Sequence, residues 1–416
     1  MQSKDVKNST SKNKATKANG NTVNVANAKS NTTKSATSTH VVTAETVQAE
    51  EVPTIPLGSL ETISTLQPEV SVRSVASTRS VNMPTSLVAQ PSEYRRSMGE
   101  WLQVWWDGMR PPYLLLPLLP VCVGSVYAWL QTVSTKKPLG HFHTSHFIGM
   151  LLAIILIQIG ANLVNDYYDY LRGVDTSNAL GPGGLIQQGL SKPTNVLFFG
   201  LSSLGLGAVI GIIVASAGGP LVYLFGAVGL LCAYFYSATS RSLSALALGE
   251  LAGFLLYGPL ITLGAYLVMA QTGHTDRTIL SYSIPLGLLA TAVIHANNMR
   301  DVEGDTHAKR RTLASILGVR WSRWLYVGLL LAAYVLIIAF SVSRGAPHFL
   351  LLTLWTLPIL AVAITGAIRT DTPAGLHLVM RQTLKLETYF TLFLIIGVVI
   401  TAFLPIIPNL PAHLIP

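Results

Sequence analysis

The sequence predicts an all-α polytopic membrane protein: nine transmembrane helices around a central cavity, preceded by a disordered N-terminal tail. Three observations lead there. Half of the 416 residues are hydrophobic, only 11% are charged and the mean hydropathy is +0.47, more apolar surface than a soluble domain of this length would bury. Apolar runs of roughly 17 to 25 residues, the length that crosses a bilayer, recur nine times after residue 111. The basic residues are shared unequally between alternate connections, as they are in membrane proteins of fixed orientation.

Taken in order, residues 1–94 are rich in Ser, Thr, Asn, Lys, Ala and Val, lack sustained apolar periodicity, and meet their first aromatic at Tyr94. Such a segment cannot bury enough surface to offset its chain entropy. It reads as a disordered cytoplasmic tail, either a plain tether or a lysine-bearing contact for a partner or anionic lipid. Residues 95–416 form the transmembrane domain. The stretch 101–112, with Trp101, Trp105 and Trp106 ahead of Pro111-Pro112, reads as an interfacial helix anchored at headgroup depth. Spans are expected at 112–132, 146–165, 196–216, 219–237, 248–270, 279–297, 325–343, 349–368 and 387–406. Long polar connections at 170–194 and 298–322, with a shorter one at 239–248, share one side and together roof a cavity.

Of the 28 Lys and Arg residues, nine precede residue 95. Fifteen of the others fall on the side of those connections, against Lys136, Lys137, Arg277 and Arg344 on the opposite side. The positive-inside rule therefore puts the N-terminus and the three connections in the cytoplasm of a multi-pass cell-membrane protein. The net charge of +9 reports topology and does not call for nucleic acid as a partner. Cys122 and Cys232 fall inside apolar spans without metal-type spacing and read as small core residues. The first forty residues are polar and show no cleavable signal peptide or lipidation motif, so the first span is expected to direct insertion.

Two acidic clusters, Asn165-Asp166-Tyr167-Tyr168-Asp169 and Asn297-Asn298-Met299-Arg300-Asp301-Val302-Glu303-Gly304-Asp305, stand at the ends of the second and sixth spans. Ionisable groups at such positions usually have a function. On a helix Asn165 and Asp169 face the same way, and Asn297, Asp301 and Asp305 form one stripe over two turns. Mg²⁺ takes oxygen ligands and is commonly shared between one or two carboxylates and substrate phosphates. Two Asp-bearing helices facing each other therefore suit a Mg²⁺-diphosphate clamp that stabilises charge on a departing diphosphate. A single Asp at a helix end is more often a cap or a solvated residue, but pairing with Asn in both clusters weighs against that. Asp166 and Glu303 lie off the principal stripes. Arg172, three residues after Asp169, and Lys309, Arg310 and Arg311, four to six after Asp305, are cations for the same site or, for the second group, a topogenic flank. Tyr167, Tyr168 and Tyr170 are either belt aromatics or site walls.

On these residues the chain resembles the UbiA superfamily of intramembrane aromatic prenyltransferases, over roughly residues 100 to 405. Within it, Asn162-Leu163-Val164-Asn165-Asp166-Tyr167-Tyr168-Asp169, Gly173-Val174-Asp175, Asn297-Asn298-Met299-Arg300-Asp301, Thr312-Leu313, Leu248-Gly249-Glu250-Leu251 and Gly258-Pro259-Leu260 are similar to the branch that prenylates 1,4-dihydroxy-2-naphthoate. The resemblance implies Mg²⁺ as cofactor, with polyprenyl diphosphate and an aromatic acceptor as substrates, brought together in the lipid bilayer. It implies that Asn165, Asp169, Asp301 and Asp305 hold Mg²⁺ and diphosphate, with Asp166, Arg172, Asp175, Asn297, Asn298, Arg300, Lys309 and Arg310 around the donor. Arg310 stands where that branch usually has Lys. Where the branch often carries Arg around the Gly-Pro of the first loop, this chain reads Asp175-Thr176-Ser177-Asn178-Ala179-Leu180-Gly181-Pro182-Gly183-Gly184, and backbone amides of such a loop also cradle phosphate. Tyr236, Arg241, Glu250 and Tyr257 are expected at the acceptor pocket; Glu250 is either a cavity-facing polar group or an interfacial acid at a helix start. His295 is either an acceptor for a proton of the ring or a packed interhelical histidine.

Other acceptors fit the same fold: another quinone precursor, a haem or a glycerophospholipid precursor. From another class, a cation or metabolite transporter would also keep carboxylates in a membrane, but near the midplane and often in discontinuous helices. Both clusters here end spans on one side, which favours the enzyme.

Overall fold

The computed structural model describes residues 97–134, 142–173, 184–239, 241–274, 276–307, 309–343 and 347–403. The expected tail lies outside them, as do Asp175 and residues 176–183 of the glycine-rich loop. Helix α1 (Met98–Met109) starts at a capping box in which the Ser97 hydroxyl accepts from the Glu100 amide while the Glu100 carboxylate accepts from the Ser97 amide. It ends at Arg110 in the left-handed region (φ 56°), and Pro111, which needs no amide partner in a first turn, opens α2 (Pro111–Ser134). Helices α3 (Thr144–Arg172), α4 (Pro193–Ala215) and α5 (Pro220–Phe235) follow.

The fifth apolar run is α6 (Gly249–Leu255), a π-helical turn (Leu256–Leu260) and α7 (Ile261–Ala270). Pro259 lies inside that turn and has no amide to donate, which removes one ordinary helical hydrogen bond. Then come α8 (Thr278–Arg300), α9 (Val302–His307), α10 (Leu313–Ser341), a 3₁₀ segment (His348–Thr356) running into α11 (Leu357–Arg369), and α12 (Pro373–Phe403). Among the described residues eight helices are long and apolar enough to cross a membrane, and α5 is a ninth, shorter one.

Several expected boundaries move. The span expected at 146–165 is a helix reaching Arg172, so the first cluster lies within its last turns. The span expected at 325–343 begins at Leu313, with a kink at Gly318, and that expected at 387–406 begins at Pro373. Hydropathy measures the apolar thickness to be crossed, whereas the helices run on into polar turns. The expected two-turn stripe Asn297–Asp301–Asp305 is interrupted: α8 stops at Arg300, Asp301 is its cap (φ −96°, ψ 6°), and α9 carries Asp305.

The core sits among α2, α7, α8, α10 and α12, where Tyr282, Leu286, Leu289, Tyr326, Leu330, Ile337 and Phe390 are fully enclosed. Helix α8 is the central staff, 72% buried, against 22% for α4, while α5 has no buried residue. The α4–α5 side thus forms one wall of the cavity, with α4 packed closely on α3 through Gly200 and Gly207 and α5 the more loosely held.

Candidate active site

A cavity of about 1400 Å³ runs through the helices, lined from Arg110 and α2 to α9 and Arg310, with Pro373 of α12. On α3 its lining extends from Met150 to Tyr170, 20 residues apart and so roughly 30 Å along the axis. One end holds Asn165, Asp169, Asn297, Asp301 and Asp305 together with Arg110, Arg300 and Arg310. The other holds apolar residues, among them Met150, Val214, Val222, Phe225 and Val268.

Helical spacing on α3 lets Asn165 donate to Asp169 (2.7 Å), and the same amide group donates to the Ser237 hydroxyl (2.8 Å). Arg172 donates to the other Asp169 oxygen (3.2 Å) and to the carbonyls of Ser237 and Thr239, tying α3 to the connection after α5. Asp301 is gripped by both arms of the adjacent Arg300, Nε to Oδ1 (2.7 Å) and Nη2 to Oδ2 (2.6 Å), while the same Nη2 donates to the Asn297 side-chain oxygen Oδ1 (3.0 Å). Asp305 is fully buried and accepts from the Thr312 hydroxyl (3.1 Å) and from Arg310 (3.4 Å). Burial pushes the Asp305 carboxyl up to about 6; Asp301 and Asp169 push the same way, against Arg310 and Thr312. Burial also opposes the charge on Arg310, but Asp169, Asp305, Tyr236 and Asp301 outweigh it and hold that guanidinium above its usual pKa. Arg310 therefore feels carboxylates of both clusters.

Among the described residues no three of His, Cys, Asp and Glu gather closely enough to chelate an ion alone. Mg²⁺ does not require that, because it is bound through one or two carboxylates plus phosphate and water oxygens. The carboxylate and amide oxygens at this end of the cavity form an all-oxygen donor set that fits it, with arginines beside them to take phosphate.

Of the residues singled out in the sequence, the cavity brings together Asn165, Asp169, Asn297, Arg300, Asp301, Asp305, Arg310, Tyr236 and Tyr257, along with Glu303 and Tyr170. It does not bring in Asp166, Arg172, Lys309, Arg241, Glu250, Asn298 or His295. Asp166 is buried and accepts from the amides of Gly184 (2.7 Å) and Leu185 (3.1 Å), so it moors the glycine-rich loop to α3. Arg172 stands behind Asp169. Lys309 and Arg241 are exposed in turns, Lys309 with a positive φ of 55°. Glu250 and Asn298 face each other inside the bundle, Nδ2 to Oε1 at 2.9 Å, and the same Glu250 oxygen meets His295 Nδ1 at 3.0 Å. The other ring nitrogen of His295 lies 3.1 Å from the Ser322 carbonyl. Held at both ring nitrogens, His295 is a packed clasp between α6, α8 and α10, not a base facing the cavity.

Arg110, Gln158 and Asn162 line the cavity without having been given a place at the site from the sequence. Arg110, counted there only for topology, donates to Asn165 Oδ1 (3.0 Å) from its left-handed position after α1. Gln158 and Asn162 extend the Asn165–Asp169 face of α3 inward. Their signal was present: polar residues at 158, 162, 165 and 169, spaced four, three and four, in an otherwise apolar helix.

Comparison with known proteins agrees with this architecture. The model of the UbiA prenyltransferase family matches residues 117–394. The chain is 29% identical over 314 residues to the 1,4-dihydroxy-2-naphthoate octaprenyltransferase of Bacillus subtilis, covering 76% of this chain and 97% of that one. It is 35% identical over 233 residues to the protein of the same name from Mycobacterium tuberculosis, 56% of this chain and 76% of that one. In fold it is similar to a UbiA homolog from Archaeoglobus fulgidus solved with DMAPP and Mg²⁺, with a TM-score of 0.51 at 14% identity over 71% of this chain and 99% of that one. With the match running from α2 into α12, across both acidic clusters, this chain belongs to the UbiA prenyltransferase family.

Proposed function

We propose that this protein transfers a polyprenyl chain from polyprenyl diphosphate to 1,4-dihydroxy-2-naphthoate, the committed prenylation of menaquinone biosynthesis. The observation that carries the reading is the convergence of both acidic clusters and three arginines on one end of a cavity whose other end is apolar. The naphthoate is the acceptor in the names of the Bacillus and Mycobacterium relatives. Asn165, Asp169, Asp301 and Asp305 would hold Mg²⁺, and Arg110, Arg300 and Arg310 would take the diphosphate oxygens. When bound, Mg²⁺ neutralises charge that builds on the diphosphate as it leaves.

The bond between the diphosphate oxygen and the allylic carbon breaks with its electron pair going to the diphosphate. The apolar cavity keeps water from the cationic carbon. The ring carbon bearing the carboxylate then bonds to it, and loss of that carboxylate as carbon dioxide returns an electron pair to the ring. The product is the reduced form of demethylmenaquinone. Because the electron pair comes from the carboxylate, ring rearomatisation requires no protein base, in keeping with His295 being enclosed elsewhere. The bias of Lys and Arg supports a site on the cytoplasmic face of the cell membrane. The test is an acceptor panel with one prenyl donor and Mg²⁺: prenylated naphthoquinone and released diphosphate are expected, whereas turnover only on a different aromatic acceptor would move the protein to another branch of the family.

A further inference from the structure

We infer that Tyr257 and Gln158 form a recognition pair for a ring hydroxyl of the aromatic acceptor, midway between the carboxylate end and the apolar end of the cavity. The inference rests on the prenyl transfer proposed above and assigns a place to its second substrate. Both side chains line the cavity. The Tyr257 hydroxyl donates to Gln158 Oε1 at 3.0 Å, Gln158 Nε2 donates to Asn162 Oδ1 at 3.1 Å, and Asn162 Nδ2 donates to the Met109 carbonyl at 2.9 Å. The chain of bonds starts at α1 and fixes the direction of every amide in it. It leaves the second Gln158 N–H and the Tyr257 oxygen lone pairs as adjacent donor and acceptor. A phenolic hydroxyl satisfies both at once, accepting from Gln158 and donating to Tyr257.

A second observation points the same way. Tyr257 sits in the π-helical turn at Leu256–Leu260, and turns of this kind cluster at functional positions. The turn is held against α8 by a glycine pair: a Cβ on Gly258 would lie 2.8 Å from the Gly287 Cα and 2.8 Å from the Ser283 carbonyl. Backbone contact there fixes where the Tyr257 ring enters the cavity.

Depth separates this pair from both other zones. Gln158 lies 11 residues before Asp169, roughly 16 Å along α3. That interval accommodates a metal-bound diphosphate followed by one aromatic ring. Further in, Ile154, Met150 and Val214 offer a hydrocarbon surface suited to the prenyl chain. The donor and acceptor that the Tyr257–Gln158–Asn162 chain leaves over would be a desolvation cost without return on the wall of a hydrocarbon channel, so the polar belt marks the acceptor. Donation of the acceptor hydroxyl to Tyr257 also raises electron density on the ring that attacks.

The test compares the purified full-length protein with Tyr257→Phe and Gln158→Leu, using one polyprenyl diphosphate, Mg²⁺ and two acceptors, 1,4-dihydroxy-2-naphthoate and an analogue lacking one ring hydroxyl. Wild type should prefer the dihydroxylated acceptor in kcat/KM. Each variant should lower that preference about tenfold, the scale of one lost hydrogen bond in a buried site, while KM for the prenyl diphosphate stays unchanged and reports an intact fold. Raised KM for the prenyl diphosphate with acceptor preference intact would overturn the inference, since the pair would then face the chain. Failure of wild type on both naphthoates would overturn the functional reading instead, and the same comparison on whichever hydroxylated acceptor it accepts would still judge the pair.

Discussion

The first acidic cluster rides on an unbroken helix, whereas the second spans a break. On α3, Asn165 and Asp169 are four residues apart and bonded to each other, and the helix ends cleanly at Gly173 in the left-handed region (φ 65°). At the break between α8 and α9 Asn297 still reaches Asp301 across four residues, but at 3.4 Å; the adjacent Arg300 grips that carboxylate at both oxygens, and Asp305 is held by Thr312 and Arg310 from beyond α9. One turn deeper, Glu250 ties Asn298 and His295 to α6. A helix can present a pair of ligands by its own periodicity, but a broken helix has to borrow its geometry from neighbours. The second cluster should therefore be the more sensitive of the two to residues that never touch substrate.

The largest expected effect comes from removing a carboxylate of either cluster. Asp169→Ala and Asp301→Ala should each lower kcat by roughly a hundred- to a thousand-fold, the scale of losing a preorganised electrostatic contact, with membrane insertion intact. If the clusters are halves of one clamp, the double variant loses little more than either single one; losses that multiply would separate them. Next, Glu250→Ala should destabilise the protein by about 3 kcal/mol, because it leaves His295 and Asn298 buried without their partner. That is read as a lower melting temperature in detergent, with residual activity falling alongside. The smallest effect belongs to the end of the first cluster's helix. Gly173→Ala meets no neighbouring atom but is strained by its positive φ, so a loss of about 1 kcal/mol and near-normal kcat are expected.

Much of this was legible in the sequence because it depends on local periodicity. Nine apolar runs give the bundle, and the spacing of Asn165, Asp169, Asp301 and Asp305 marks the end of the cavity where they meet. What was hidden depends on non-local packing. The break at Asp301 leaves no proline or glycine at the cap to announce it. Glu250 looked like a cavity group because a buried carboxylate in a span invites that reading, yet its partners, 45 and 48 residues away, keep it inside the bundle. Arg110 joined the site through a backbone turn, and Gln158 through a tyrosine 99 residues distant. Helix α12 starts 14 residues before its expected span, since its first turns are helical without being apolar.

Both clusters are proposed to act on one Mg²⁺-diphosphate. This is tested most directly by measuring polyprenyl diphosphate binding to the purified protein across a Mg²⁺ titration, for wild type, Asp169→Ala and Asp301→Ala. Binding should require Mg²⁺ in wild type, and each variant should shift the Mg²⁺ dependence to higher concentration by a similar factor. Tight binding without Mg²⁺, or a shift confined to one cluster's variant, would contradict the account.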